Sequence, residues 1–425
     1  MSPIQVAVIG AGPAGMAAAL AAADAGADDV LLIERDDEAG GILNQCVHDG
    51  FGNLIFGESL TGPEYAHRFM EEIKRRSRIR LLTGTMVLNL HSDGSLKAVN
   101  RSGAFSLKPG AVVLAMGCRE RSRFQAVIPG YRPAGIYTAG AAQRLINIEG
   151  LMPGEKAVIL GSGDIGLIMA RRLILEGAQV CGVFEILPRP GGLTRNVVQC
   201  LHDFNIPLHL SHTVTFIHGK KRLTGVSVAP VDEQGQPLLE RERFIPCDTL
   251  ILSVGLIPEN ELSRAAGVII DEATRGPRVD QDMATSVPGI FAGGNVVQVY
   301  DLVDHVSRAA AIAGRSAALY AAGYRRVGGR LLLQRGENVS AMVPQQLSLP
   351  LAAGERINLY LRTATEMRGA AVELRHGEKV LYRKKMRIVR PPEMIHLELE
   401  ASLFAGLGGG DALTCRVAAE EVKQK

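Results

Sequence analysis

The residues of this chain with the clearest chemistry are glycines and a glutamate that occur twice at one spacing. Val6 to Gly41 aligns without a gap on Ala157 to Gly192, placing Gly10, Gly12, Gly15, Glu34, Gly40 and Gly41 on Gly161, Gly163, Gly166, Glu185, Gly191 and Gly192. Each copy is an apolar strand (Val6 to Ile9; Ala157 to Leu160), a GxGxxG turn, a helix and a second apolar strand ending on the glutamate. The turns are Gly10-Ala11-Gly12-Pro13-Ala14-Gly15 and Gly161-Ser162-Gly163-Asp164-Ile165-Gly166. In such a turn the first glycine permits the tight bend, the second lets the backbone approach a pyrophosphate, and the third lets the helix pack on the strand. The helix N-terminus then offers unpaired N–H groups to the anion. Glu34 and Glu185, each 19 residues after the third glycine, would accept hydrogen bonds from a ribose 2′-hydroxyl. A 2′-phosphate would meet a carboxylate there, so Glu185 favours NAD over NADP. Two ligand-free strand-to-helix turns are the alternative, against which the recurrence of the glutamate spacing counts.

The elements that carry these turns imply an α/β chain. At 425 residues, two or three domains are expected. Glycine fills 48 positions without a Gly-X-Y period, so the surplus marks turns, close helix packing or phosphate loops. A net charge of +3 gives no field for nucleic acid or an anionic membrane. The six cysteines form no CxxC, which excludes a disulfide scaffold, a zinc ribbon and an iron-sulfur ligand set within the chain, and no metal is expected. A reduced cytoplasmic chain is the simple reading. The N-terminal apolar run breaks at glycines, and the stretch Ala14 to Ala25 contains Asp24 and is too short for a bilayer, so no export signal or membrane span is expected.

Two dinucleotide sites in one chain imply a flavin and a nicotinamide, the pair that flavin enzymes need for hydride transfer. Which site takes which is not fixed by the glycines. The order of motifs resembles the two-dinucleotide-binding flavoproteins, the pyridine nucleotide-disulfide oxidoreductase superfamily, over roughly residues 4 to 325. The motifs are GAGPAG with Glu34, LAMGCRER (Leu114 to Arg121), LSVGLIPEN (Leu252 to Asn260) and TSVPGIFAGGNV (Thr285 to Val296). The resemblance implies two Rossmann-like domains, the FAD domain split by an inserted NAD domain, with a small C-terminal all-β domain after them. The limits are 1–122 and 263–330 for FAD binding, 123–262 for NAD binding and 331–425 for the β domain. It implies FAD contacts at Gly10, Gly12, Pro13, Ala14, Gly15, Glu34, Arg35, Gly41, Ile42, Val87, Ala115, Gly117, Gly294, Asn295 and Asp304. NAD(H) contacts fall at Gly161, Gly163, Asp164, Ile165, Gly166, Glu185 and Gly255. Asn295 stands where the superfamily usually has aspartate: it either hydrogen-bonds a ribityl hydroxyl without charge or caps the turn.

The superfamily's disulfide reductases pass electrons through CxxC or CxxxxC, and neither is present; GGILNQCVHDGFG (Gly40 to Gly52) holds Cys46 alone. Cys46 has three readings: a redox thiol beside His48, a flavin-lining residue, or ordinary packing. Longer stretches, among them YTAGAAQRLINIEGLMPG (Tyr137 to Gly154) and YDLVDHVSRAAAIAG (Tyr300 to Gly314), resemble a bacterial FAD/NAD oxidoreductase subfamily. Its members are typically encoded beside a glycerol-3-phosphate-dehydrogenase-like flavoprotein and a small cysteine-bearing or iron-sulfur protein. They are distantly similar to the α subunits of opine, proline and hydrogen-cyanide-forming dehydrogenases. The resemblance implies an FAD-dependent NAD(P)H oxidoreductase that exchanges a hydride with NAD(H) and passes electrons to or from a partner dehydrogenase subunit, which handles the small-molecule substrate. Any membrane attachment would run through that partner. The alternatives are a stand-alone NADH oxidase or single-cysteine disulfide reductase using Cys46, and a non-catalytic subunit that holds cofactors in an assembly.

The segment after Tyr300 opens a helix, with Asp301 and Asp304 read as N-cap and first-turn acid and His305 as a candidate contact to flavin or substrate. Beyond Gly329 the apolar period changes to two: Ile357, Leu359 and Leu361 alternate with Asn358, Tyr360 and Arg362, and Ile395, Leu397 and Leu399 with His396, Glu398 and Glu400. These read as half-buried antiparallel strands. Arg375 to Arg390 carries seven Lys or Arg against Glu378, a solvated strand face or a dock for an acidic partner subunit.

Overall fold

The computed structural model describes residues 4–420; the outermost residues of the expected first and last domains, 1–3 and 421–425, lie outside the described residues. The chain divides into two compact units, one of residues 1–118 and 258–425, the other of residues 119–257.

The first unit is built on a five-stranded parallel sheet, ordered Ile290–Ala292, Ala111–Leu114, Val6–Ile9, Val30–Ile33, Ile79–Leu82. Apart from Arg80 in the edge strand Ile79–Leu82, the strands are short and apolar throughout, and all four residues of Val6–Ile9, Val30–Ile33 and Ala111–Leu114 are buried. This is what a parallel sheet covered on both faces requires. Val6 pairs with Val30 on one side and Ala111 on the other. The helix Pro13–Asp24 and the helix Val303–Ala321 pack on it as an alanine-rich pair. Small side chains let the two backbones come close: a Cβ placed on Gly314 would lie 2.0 Å from the Ala18 carbonyl oxygen.

The second unit repeats the plan. Its parallel sheet runs Leu208–Leu210, Gln179–Glu185, Lys156–Leu160, Thr249–Leu252, Ile136–Thr138, and the helix Asp164–Leu175 follows its central strand. Lys156–Leu160 pairs with the strand on either side in parallel, as Val6–Ile9 does in the first unit. The repeat seen in the sequence is therefore a repeat of topology, and both halves are Rossmann-like.

The first unit also carries the helix Gly62–Lys74 and a three-stranded antiparallel sheet, Met86–Leu90, Leu96–Asn100 and Gly103–Leu107, and beyond Gly329 it continues as a β module of two sheets. One has the order Gln346–Ser348, Arg330–Arg335, Ala412–Ala419, Met367–His376, Lys379–Val389; the other has Val339–Val343, Arg356–Thr363, Ile395–Glu400. Ile357, Leu359, Leu361, Ile395, Leu397 and Leu399 are all buried in one core between them. On the opposite face of the smaller sheet Glu398 and Glu400 are exposed as expected, but Tyr360 departs from the half-buried expectation. Tyr360 is fully buried there and belongs to the core of the nucleotide-binding portion. Tyr360 and His396, expected to meet water, instead meet His305 at the start of the Val303–Ala321 helix. The basic strand Lys379–Val389 is the edge of its sheet, and Arg383, Lys384, Lys385 and Arg387 are exposed.

Candidate dinucleotide sites

Both turns are shaped by backbone that no side chain would tolerate at two of their glycines. Gly10 and Gly161 have φ +99° and +93°, and a Cβ on them would lie 2.6 Å from Ala115 O and 2.1 Å from Ser253 O. A Cβ on Gly15 would lie 1.6 Å from Gly10 O, and one on Gly166 2.6 Å from Ser253 Cβ. Those glycines build the turn. Gly12 is different, since a Cβ there would have its nearest neighbour, Gly41 Cα, at 4.0 Å. That opening lies at the N-cap of the Pro13–Asp24 helix, which no side chain caps, and is where a pyrophosphate would meet free N–H groups.

The two glutamates are held alike. Glu34 Oε2 accepts from Ala11 N at 2.7 Å and Oε1 from Asp36 N at 3.0 Å. Glu185 Oε2 accepts from Ser162 N at 2.8 Å and Oε1 from Leu187 N at 3.0 Å. Both are buried at the end of their strands. These bonds fix the carboxylates at the rim of the turn, with lone pairs left over.

Two hydroxyls distinguish the second site, and reading the motifs for their glycines passed over both. Ser162 stands where the first turn has Ala11: its hydroxyl donates to Glu185 Oε2 at 2.6 Å and accepts from Gly191 N at 2.8 Å. In the first site Gly40 N donates to the Ala11 carbonyl instead, at 2.8 Å. Ser253 stands where the first site has Ala115, since Ser253 N donates to Leu160 O as Ala115 N does to Ile9 O. Its hydroxyl accepts from Gly166 N at 3.1 Å, within the first turn of the Asp164–Leu175 helix. Asp164, at the place of Pro13, accepts from Leu193 N and Asn196 Nδ2 at 2.8 and 2.6 Å. The aligned repeat puts Ser162 opposite Ala11, so that signal was present in the sequence, whereas Ser253 lies outside the repeat and is matched to Ala115 by its backbone hydrogen bond.

Of the further residues named from the sequence, Gly294, Gly41 and Ala115 lie against the first turn. Gly294 abuts Ala14 and Val306, and Gly41 abuts Gly12. Asn295 accepts from Tyr300 N through Oδ1 at 3.0 Å and points its amide nitrogen at Cys118 Sγ, 3.8 Å away. Val87 and Ala115 are buried, Gly117 is half-buried, Arg35 and Ile42 are exposed. In the second unit Ile165 is half-buried and Gly255 is exposed with φ +102°.

One expectation is corrected by the structure. Asp301 is not the N-cap: Leu302 occupies that position without a side-chain cap, and Asp301 pairs with Arg362 of the β module and accepts from Met394 N. Asp304 is in the first helical turn but buried, with Oδ1 accepting from Ile55 N at 3.1 Å. His305 packs against the β module, its ring centroid 5.3 Å from Tyr360 and 5.1 Å from His396. Cys46 is buried, and its thiol donates to Ile42 O at 3.2 Å. Burial pushes it up to about 12, so it is a thiol at neutral pH and lacks the thiolate character of a reactive cysteine. The His48 ring stacks on Phe51, 4.9 Å between centroids. Among the described residues no cluster of His, Cys, Asp or Glu is placed to hold a metal ion, and no helix is long and apolar enough to cross a membrane.

Comparison with known proteins agrees with this geometry. An opine oxidase subunit of Agrobacterium tumefaciens is 27% identical over 335 residues, covering 74% of this chain and 64% of its own length. The chain thus spans less than two thirds of that relative. Hydrogen cyanide synthase subunit HcnB of Pseudomonas aeruginosa is 28% identical over 405 residues, covering 88% of this chain and 82% of its own. The solved structure of T. acidophilum thioredoxin reductase superposes with a TM-score of 0.61 at 25% identity, over 75% of this chain and 98% of its own. The pyridine nucleotide-disulphide oxidoreductase profile matches residues 4–314. With two Rossmann-like halves, two GxGxxG turns and a buried glutamate closing each, the chain belongs to the pyridine nucleotide-disulphide oxidoreductase family, whose members are FAD-dependent NAD(P)H oxidoreductases.

Proposed function

We propose that this chain is the FAD-carrying subunit of a dehydrogenase complex, exchanging a hydride with NAD(H) and passing electrons to or from a partner subunit. The doubled turn carries this reading: two pyrophosphate cradles, each with its own fixed ribose acceptor, serve two dinucleotides. FAD is assigned to segments 1–122 and 263–330 and NAD(H) to segment 123–262. The first site fits FAD on three grounds: the opening at Gly12, the uncapped N-terminus of the Pro13–Asp24 helix, and the two oxygens of Glu34 with acceptor capacity to spare.

When bound, the flavin supplies reversible two-electron exchange with a nicotinamide. The chain's residues bind and orient. Glu34 takes the ribose hydroxyls, the helix N–H groups take the pyrophosphate, and Asn295, held by Tyr300 N, offers an uncharged amide where the superfamily usually has aspartate. Glu185 takes the ribose of NAD(H) and disfavours a 2′-phosphate through its charge. No acid, base or nucleophile is needed for the exchange, and catalysis is positioning.

Two relatives bear the name of a subunit, which supports a partner. A glycerol-3-phosphate-dehydrogenase-like or amino- or hydroxy-acid dehydrogenase subunit, with a small cysteine-bearing or iron-sulfur protein, is the assembly we propose. The buried Cys46 thiol weighs against the single-cysteine reductase. Purified protein should be yellow, and NADH should bleach its flavin absorbance under anaerobic conditions; a flavin left oxidised by excess NADH would sink the reading.

A further inference from the structure

The two turns share a backbone plan and differ in which polar groups they keep for themselves. In the first site the Glu34 carboxylate accepts two hydrogen bonds, from Ala11 N and Asp36 N. In the second, Glu185 accepts the two equivalent bonds and a third from the Ser162 hydroxyl. A carboxylate has about four acceptor positions. Glu34 therefore keeps one on each oxygen, enough for both hydroxyls of a ribose, while Oε2 of Glu185 is filled and one position remains on Oε1.

The donors differ in the same sense. Ser253 Oγ accepts the Gly166 N–H, one of the N–H groups a helix N-terminus offers to a pyrophosphate. Ala115 in the first site has no hydroxyl to do this. Asp164 adds a carboxylate to the first turn of the second helix where the first helix has Pro13, and negative charge there opposes an anionic ligand.

We infer that Ser162 and Ser253 are affinity-setting residues that make the second site an exchange site: their hydroxyls occupy positions which the first site leaves for its nucleotide. This rests on the assignment of NAD(H) to the second turn. It explains how one repeated motif holds a resident cofactor in one copy and a diffusible one in the other. Binding to the second site begins with fewer free partners, so the nucleotide leaves faster.

The direction of the effect separates this role from a structural one. If Ser162 only braced the Gly191 loop and Ser253 only capped the helix, removing either hydroxyl would loosen the site and weaken binding. On our reading Ser162→Ala frees Oε2 and Ser253→Ala frees the Gly166 N–H, and each tightens binding. One recovered hydrogen bond corresponds to roughly a three- to tenfold fall in Kd.

The test is calorimetric titration of the FAD-loaded protein with NAD+, which does not reduce the flavin, with dissociation followed by stopped flow and folding by thermal melting. Ser162→Ala and Ser253→Ala should each bind NAD+ several-fold more tightly and release it more slowly, and the double variant more so. The reciprocal Ala11→Ser should lose FAD faster on gel filtration than the wild type. Unchanged or weaker NAD+ binding by both single variants at wild-type melting temperature overturns the inference while leaving the proposed function standing. If the serine variants melt early, an Ala11→Ser protein that retains FAD as the wild type does overturns it instead. Wild-type protein that binds neither NAD+ nor NADP+ sinks the functional reading, and this inference falls with it.

Discussion

Arg362 of the β module forms an ion pair with Asp301, two residues before the Val303–Ala321 helix, and also donates to the carbonyls of Val299, Pro391 and Pro392. Both side chains are largely buried, at 22% and 11% exposure, and each supplies the other's counter-charge. The pair ties the module to the element that packs beside the first turn.

Removing one partner leaves a buried charge without its counterpart. Arg362→Met should lower stability by about 3 kcal/mol and Asp301→Asn by somewhat less, since an amide still accepts from the guanidinium and from Met394 N. Limited proteolysis should then cut first between the nucleotide-binding portion and the β module. Equal protection in wild type and Arg362→Met would show that the pair adds nothing to docking.

Gly314 gives a prediction about the flavin side of the fold. A methyl group at this position would lie 2.0 Å from the Ala18 carbonyl oxygen and 2.6 Å from its carbon, so Gly314→Ala must push the two alanine-rich helices apart. A cost of about 3 kcal/mol is expected for overpacking against backbone. The displaced Pro13–Asp24 helix carries the first cradle, so the variant should also purify with less FAD. Denaturant unfolding together with the ratio of flavin to protein absorbance checks both.

Much of this was legible in the sequence because its signals are local. The strand Val6–Ile9 has the limits its apolar run gives, and the strand Lys156–Leu160 begins one residue before its own. Glycine spacing and strand-ending glutamates are fixed by backbone geometry that no tertiary context can rewrite. What was not legible depends on which surfaces meet. Period two in Arg356–Thr363 correctly buried Ile357, Leu359 and Leu361, but it could not show that Tyr360 on the other face is buried as well. Asp301 reads as a cap because an acid before an apolar helix usually is one; its true partner stands 61 residues away. Ser162 and Ser253 were visible as letters, yet their meaning needed the hydrogen bonds.

Cys46 yields a prediction that separates packing from redox chemistry. With its thiol pushed up to about 12 by burial, Cys46 should alkylate far more slowly with iodoacetamide at neutral pH than the half-buried Cys118, because the thiolate is the attacking species. Peptide mass mapping after timed quenching reads both sites in one experiment. Cys46→Ser should leave the rate of flavin reduction by NADH within about twofold of wild type. Fast labelling of Cys46, or loss of flavin reduction in Cys46→Ser, would return the single-cysteine enzyme to consideration.

The stack of His305, Tyr360 and His396 makes stability depend on pH in a defined window. Tyr360 and His396 lie parallel with centroids 4.6 Å apart, and His305 meets both. Burial, then the neighbouring His396 and Arg308, lower His305 from 6.5 to about 4; burial lowers His396 too, with Arg308 and Lys384 acting in the same direction and Glu398 opposing. A depressed histidine is neutral in the folded protein while its unfolded counterpart takes up a proton. Its contribution is therefore complete above pH about 6.5, falls as the pH drops toward about 4, and is lost below that, where both states are charged. The loss assigned to His305 is on the order of 2 kcal/mol after allowance for residual solvent screening. Urea midpoints measured down this pH range should decline more steeply for wild type than for His305→Gln, which keeps a polar group and cannot titrate. Parallel curves for the two proteins would place the acid sensitivity elsewhere in the fold.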